Sequence, residues 1–338
     1  MLSPHQPTGN ILTASGFRGG PAGYITLPRA VPKDEGAYFV DQNTAQIPRF
    51  PFEPLFRATI SMNPSFRFDD VDILVNRNSL RRLLDFCARR RQDSFRIDLH
   101  LVHRTLVIER CEKNARELIK GSQNPGWGRN FEYTFTRYPP GLEDSTAHHR
   151  ALRYQLGGLV CVVRFEVDAC YEKGTEEDGS SKSVNIQMGA PSMSDGLVNS
   201  VSLIEPSAQR PMAQAMAAEI KTASKPRSMG TYLPQVWFGR TPWLIIGRHT
   251  GRTFEELKTH FEAWEGKQQN DLRRLVTVLS QWRGAVEQNG GSHCVAVCEK
   301  NEFPPLIRVF PSMVTKKAIP DELRHKLWDF KTNNLSTH

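Results

Sequence analysis

Leu159-Val160-Cys161-Val162-Val163-Arg164-Phe165-Glu166-Val167-Asp168-Ala169 is the most strand-like run of the chain. Successive side chains of a strand point to opposite faces, so Arg164, Glu166 and Asp168 share one face. Val163, Phe165, Val167 and Ala169 share the other. Two carboxylates at the end of so apolar a strand are costly without a partner. Two resolutions are open. One is a pair of salt bridges or an exposed strand end. The other is a divalent cation, because hard oxygen ligands from neighbouring acids suit Mg²⁺ or Mn²⁺.

Working outward, Val71 to Val75 reads as a strand leading to a helix with Ser79 at its N-cap. Leu80, Leu83, Leu84 and Cys87 form the apolar stripe of that helix, and Arg81, Arg82, Arg89, Arg90 and Arg91 decorate it. Those arginines are either a solvated basic face or a phosphate contact. Phe95–His103 and Thr105–Cys111 suit a hairpin, and Phe131 to Arg137 suits a helix. Further strands are expected at Ala218–Thr222, Val236–Gly247, His293–Cys298 and Leu306–Phe310. Helices are expected at Thr253–Trp264, Asn270–Val286 and Asp321–Phe330. Strands and helices interleave without repeats, which predicts one mixed α/β domain over residues 46–333, with central mixed sheets flanked by helices. Residues 1–45 read as an irregular arm, and the polar stretch at about 172–210 reads as a mobile insertion.

The composition narrows the function classes. The chain has 338 residues, 39% of them apolar and 24% charged, which excludes a disordered or fibrous protein. No window approaches the ~20 apolar residues of a spanning helix, and no secretory signal is read, so no membrane partner is expected. The six cysteines form no C-x-x-C pair and read as reduced thiols. Forty-four basic against 36 acidic residues give a net charge of +8, a weak pointer toward anionic partners. There is no Walker A motif, no Rossmann fingerprint and no nucleophile elbow. Asp69-Asp70 lacks the third aspartate of a prenyl-diphosphate motif, because Ile73 stands there.

A second segment bears on the acid pair. Ala218-Glu219-Ile220-Lys221-Thr222 places Glu219 and Lys221 on one face of a short strand. An acid pair followed by Glu-x-Lys is the pattern of metal-dependent phosphodiester cleavage in PD-(D/E)xK nucleases. Acids bind the metal, the metal activates water, and the lysine holds water or phosphate. His148-His149-Arg150 could touch phosphate or leaving group, with an exposed polar turn as the simpler reading. Trp237 and Trp243 could stack bases, but apolar neighbours favour core packing. Cys294 and Cys298 suit buried thiols.

Four stretches, in order, resemble the DXO/Rai-type decapping exoribonucleases. They are Val75 to Leu84 with Arg77 ahead of a helix, Gly128-Arg129-Asn130-Phe131-Glu132, Glu166-Val167-Asp168 and Glu219-Ile220-Lys221. Gln235-Val236-Trp237-Phe238 and Pro242 to Arg248 are similar to the segment that follows in that family. The chain departs from the family in the 51 residues from Asp168 to Glu219, and in Phe238-Gly239-Arg240 where a glutamine is expected. The resemblance implies a PD-(D/E)xK-like site. Glu132, Glu166, Asp168, Glu219 and the Ile220 carbonyl would ligate Mg²⁺ or Mn²⁺. Lys221 would position water and phosphate, while Arg77, Arg129 and Arg164 would bind substrate. It implies a hydrolase of RNA 5′ ends (decapping, pyrophosphate removal, 5′→3′ exonuclease) in the nucleus and/or cytoplasm. The alternatives are a catalytically weak RNA-binding or exoribonuclease-stabilising partner, and a DNA nuclease of the PD-(D/E)xK group.

Overall fold

The computed structural model describes residues 11–13, 31–39, 49–90, 93–111, 117–120, 126–136, 148–173, 184–187, 213–225, 227–248, 253–259, 261–291, 293–300, 302 and 304–328. Its strands are β1 (Ile11–Thr13), β2 (Ala37–Phe39), β3 (Ile73–Asn76), β4 (Phe95–Val102), β5 (Thr105–Cys111), β6 (Leu118–Lys120), β7 (His149–Leu156) and β8 (Leu159–Glu166). They continue as β9 (Ala169–Lys173), β10 (Val184–Gln187), β11 (Ala217–Ala223), β12 (Trp243–Arg248), β13 (Thr253–Lys258), β14 (Cys294–Cys298) and β15 (Ile307–Pro311). The helices are α1 (Glu53–Met62), α2 (Arg77–Cys87), α3 (Gly128–Phe135), α4 (Leu233–Phe238), α5 (Glu262–Gln288) and α6 (Asp321–Leu327).

Eight strands form the larger sheet in the order β1-β7-β8-β3-β5-β4-β14-β15. At its centre β3 runs parallel to both neighbours, Ile73 opposite Leu106 and Cys161. The other pairings are antiparallel, so the sheet is mixed. A central strand buried on both faces must be apolar throughout, and Ile73, Leu74 and Val75 are fully buried. Ile73 and Val75 meet the stripe Leu80, Leu83, Leu84 and Cys87 of α2, together with Leu272, Leu275, Leu279 and Trp282 of α5. Leu74 faces the opposite layer, where Phe52, Phe56, Phe68 and Trp328 gather around α1 and α6. Phe68 stacks on Trp328 with centroids 5.0 Å apart.

A smaller sheet, β10-β9-β11-β12-β13, lies beside it. The expected strand 159–169 does not run through. β8 ends at Glu166, and the chain enters β9 at Ala169. The break has a local cause: Val167 N donates to His148 O at 2.9 Å, while the Asp168 carboxylate accepts from Ile220 N at 2.9 Å. A side chain thus takes the place of a ladder carbonyl where the chain crosses between sheets. The two acids sit at this crossing.

Other expectations need correction. Residues 1–45 are not wholly irregular, since β1 pairs with β7 and β2 with β6. Thr253–Lys258 is an edge strand on β12, not a helix; pairing with an open sheet edge outweighs the weak helix preference of a six-residue segment. The helical stretch after it is one 27-residue helix, α5. Val236 belongs to α4, which starts next to Pro234, a residue suited to a first helical turn. The α2 helix begins at Arg77, with Asn76 and not Ser79 at its N-cap. Within the expected insertion, Val184–Gln187 is a strand antiparallel to β9. Residues 174–183 and 188–212 lie outside the described residues.

Candidate active site

Arg77, Arg129, Glu132, Arg164, Glu166, Asp168, Glu219 and Lys221 all line one cavity of about 440 Å³ between the two sheets. Each is delivered by a different local device. Strand β3 passes into α2 with no intervening loop, so Arg77 stands in the first helical turn, 6% exposed. Glu219 and Lys221 alternate with buried Ile220 on β11. Glu132 rides on α3, which starts at Gly128, three residues earlier than the sequence pattern suggests. The extra turn is explained by Asp34, whose carboxylate accepts from Asn130 N at 2.9 Å and Arg129 N at 3.3 Å. A carboxylate on the unsatisfied N–H groups of a helix start is a capping interaction supplied here from the N-terminal arm.

The α3 helix is pressed close to the smaller sheet. A Cβ on Gly247 would lie 2.3 Å from the Phe131 ring. Only a hydrogen at that position lets Phe131 pack on Ala169, Ala218, Ile220 and Ile245.

Glu219 is the electrostatic centre. It is 1% exposed and accepts from Arg77 Nη1 at 2.9 Å. Lys221 Nζ and Gln235 Nε2 also donate to it. Lys221 Nζ reaches Asp168 at 3.4 Å, bridging the two acids. Burial works to raise the Glu219 carboxyl, but Arg77 and then Lys221 outweigh it and hold the group at about 2. Asp168 has less compensation, and burial followed by the Glu219 charge pushes it up to about 7. Burial and then the Asp168 charge raise Glu132 well above the usual carboxylate range. Glu166 is raised too, by the protein atoms crowded around it, although its side chain remains open to solvent at the end of β8. The Lys221 ammonium is held protonated: burial disfavours it, but Glu219 and Asp168 win.

The four carboxylates face one cavity without closing on a single point. Among the described residues, the triad of His, Cys, Asp or Glu ligand atoms that does fall within 4.8 Å of one another lies elsewhere, at Asp98, His100 and His293. Like charges repel, and Lys221 and Arg77 stand between them. Ile220 contributes through its backbone, since its side chain is buried.

Other residues in and around the cavity complete it. Gln235 bonds Glu219 and accepts from Arg81 Nη1 at 2.9 Å, which ties one arginine of α2 to the site. His148-His149-Arg150 is not an exposed turn. His148 and Arg150 are 4% and 1% exposed, and Arg150 Nη1 donates to Gln214 at 2.8 Å. His149 opens β7 and lines the cavity; burial, then the Arg164 charge, keeps its ring neutral. Arg164 donates to Pro51 O at 2.6 Å. Trp237 is buried core, and Trp243 Nε1 donates to Ala215 O.

No curated protein matches the sequence. Among solved structures, Rai1 of S. pombe superposes with a TM-score of 0.50 at 13% identity, covering 88% of this chain and 87% of that one. Rai1 of Scheffersomyces stipitis in complex with (3′-NADP)⁺ and calcium ion gives 0.49 at 12% identity, covering 84% and 80%. Rai1 of Candida albicans in complex with pU5-Mn²⁺ gives 0.47 at 11%, covering 80% and 74%. The fold is therefore of the DXO/Rai type. By sequence, residues 20–328 match a domain family of unknown function, DUF8563, and the chain belongs to that family.

Proposed function

We propose that the chain is a metal-dependent hydrolase of RNA 5′ ends. The observation that carries this reading is that Glu132, Glu166, Asp168, Glu219 and Lys221 line one cavity together with arginines. The donor set fits a hard divalent cation: it is all oxygen, and two of its acids are raised by burial and by neighbouring carboxylate charge (Asp168 beside Glu132, Glu219 beside Asp168), as expected where positive charge is in short supply. Glu132, Glu166, Asp168, Glu219 and the Ile220 carbonyl would hold Mg²⁺ or Mn²⁺. The bound ion would lower the pKa of the attacking water and neutralise charge on the phosphate. Lys221, held protonated between Glu219 and Asp168, donates to the water or to a non-bridging phosphate oxygen. Arg77, Arg129 and Arg164 orient the phosphate groups, a role suited to a planar, permanently charged fork. Gln235 fixes the Glu219 carboxylate.

Purified protein and an Asp168→Ala variant, each with Mn²⁺ or EDTA, test the proposal on 5′-triphosphate, 5′-monophosphate and capped RNAs. Metal-dependent release of pyrophosphate or cap, lost in the variant, is expected. Cleavage of duplex DNA with all RNA ends untouched would move the reading to a DNA nuclease.

One observation favours a second role, the binding of a 5′→3′ exoribonuclease. Leu306, Phe310, Met313 and Val314 are exposed along and beside β15, the edge strand of the larger sheet. Apolar side chains grouped on an edge away from the acids suit a protein partner. RNA binding without turnover on any end, with co-elution of an exoribonuclease that Phe310→Asp abolishes, would make this the main role. Among the described residues no helix is long and apolar enough to cross a membrane.

A further inference from the structure

Asp98, His100, Glu109 and His293 occupy adjacent positions on one face of the larger sheet, in a region that shares no residue with the catalytic cavity. The register explains the grouping. Asp98 and His100 are two apart on β4, and Glu109 on β5 is the cross-strand partner of Asp98. His293 immediately precedes β14, whose Cys294 pairs with Leu99. All four are at least nine-tenths buried, at 6%, 4%, 1% and 9% exposure.

Four ionisable side chains buried together in a sheet need an account of their polar atoms. Lys316 supplies part of one, since its ammonium contacts Glu109 and lies 3.5 Å from Asp98. It leaves the imidazoles unanswered. His100 Nε2 is 3.6 Å from Glu109 and His293 Nε2 is 3.6 Å from Asp98, too far for hydrogen bonds. Both nitrogens, and Glu109 Oε1, are buried without a hydrogen-bond partner. The rings stack with centroids 4.3 Å apart. The other nitrogen of His293, Nδ1, is 3.0 Å from Val314 O. A carbonyl can only accept, so Nδ1 carries a proton, and Nε2, which faces Asp98, is the nitrogen that would ligate. Ligand histidines are commonly oriented in this way.

We propose that Asp98, His100 and His293 form a second metal site, for a divalent transition ion of the Zn²⁺ class. One ligand atom from each of the three lies within 4.8 Å of the others. Bonds of about 2.0–2.1 Å in a tetrahedral site separate ligand atoms by about 3.4 Å, so the ligand atoms must draw together, and one of the two stacked rings must turn about its χ angles to aim its Nε2 lone pair at the shared ion. Two imidazoles with a carboxylate select Zn²⁺ over Mg²⁺, which prefers oxygen alone. Entry is through a cavity of about 510 Å³ that His100, His293 and Lys316 line. Lys316, with a side chain 31% exposed, is the internal cation that the ion displaces. The site ties β4 to the start of β14, and through Val314 to the segment after β15.

The test is a Zn²⁺ titration of chelator-treated, full-length protein against a chromophoric competitor, with His293→Gln, Lys316→Met and Glu219→Gln variants. Wild type and Glu219→Gln should bind one tight equivalent that raises the melting temperature. Affinity should fall about a hundredfold in His293→Gln and tighten about tenfold or more in Lys316→Met, where the competing charge is gone. Absence of a tight equivalent in wild type, or wild-type affinity in His293→Gln, overturns the proposal. Should His293→Gln fail to fold, Lys316→Met decides: affinity unchanged or weakened there also overturns it. Loss of the equivalent in Glu219→Gln alone would assign it to the catalytic cavity and refute the second site.

Discussion

Alanine at position 247 adds one methyl group, and the structure assigns that group a definite collision. Its Cβ would stand 2.3, 2.4 and 2.9 Å from three carbons of the Phe131 ring. Carbon atoms in good contact are about 3.5–4.0 Å apart, so roughly 1.2 Å or more must be recovered. The ring has little freedom to yield, because it is 7% exposed and lies against Phe135 with centroids 4.6 Å apart. The whole of α3 must therefore lift by about 1 Å. Overpacking of this kind costs about 1–3 kcal/mol. Glu132, the next residue, moves with the helix, and a displacement near 1 Å in a catalytic group costs about a hundredfold in rate. Gly284→Ala is the internal control: nothing lies within 4 Å of its Cβ in α5, and the same chemical change should stabilise by roughly 0.5–1 kcal/mol. Chemical denaturation and metal-dependent release of RNA 5′ ends read both effects, and Gly247→Ala/Phe131→Val should recover part of the stability lost. Wild-type stability in Gly247→Ala would refute the claim that this close approach seats α3.

Two further outcomes follow from the charges around Glu219. Arg77→Met leaves a carboxylate that is 1% exposed without its main counter-charge, and should destabilise by about 3–5 kcal/mol; a double variant with Glu219→Met should recover most of it, and simple additivity of the two losses would contradict the pairing. In EDTA-treated protein the Asp168 carboxyl, raised from 3.8 to about 7, contributes stability that is full below about pH 4 and is lost as pH rises through about 7. That displacement is worth at most ~4 kcal/mol, shared with Glu132. Thermal melts should therefore fall between pH 4 and 7.5 and flatten in Asp168→Asn. The low carboxyl of Glu219 acts in the opposite sense, its contribution being present above about 4.5 and lost only as pH falls through about 2. A flat or rising profile for the metal-free wild type would refute the assignment.

What the sequence revealed divides along a physical line. The run Leu159 to Glu166 and the stripe of α2 are local patterns whose period decides their state, and both stand where the pattern puts them. Thr253–Lys258 was misread because a short Glu-rich segment has no strong preference of its own; the open edge of β12 decides it. The start of α3 was misplaced because its cap, Asp34, lies 96 residues from the amide it binds. Glu219 and Lys221 are legible because their spacing on β11 fixes their common face before any tertiary contact forms, whereas Glu166 ends β8 and Asp168 reaches the cavity from the crossing after it, which the strand period does not foresee. Gln235 is not legible, since one glutamine in a helix acquires meaning only from what it faces, while His149, one of three residues that could touch phosphate, lines the cavity from a strand start where the simpler reading is an exposed turn. Asp98, His100 and His293 carried no signal either, because strand pairing alone brings β4 and β14 together.

On the proposed function, the charge pattern of the acid-lined cavity bears on which phosphate would be cut. Six cationic side chains and four carboxylates line it. Two of the six, Arg77 and Lys221, are engaged by Glu219, and the neutral ring of His149 adds no charge. A bound divalent ion would add further positive charge in a concave, partly buried site where screening is weak. An internal phosphodiester brings only one charge to each position, whereas a 5′-triphosphate or a cap bridge gathers several on adjacent phosphates. Arg129 reaches the cavity from α3, Arg164 from β8 and Arg81 from α2, so the cationic groups come from separate elements and surround the acids. Such a surround matches a compact cluster of charge at a chain end better than an extended backbone, whose phosphates follow one another along a line. On the proposed reading, the site therefore favours polyphosphate 5′ ends over the body of the RNA.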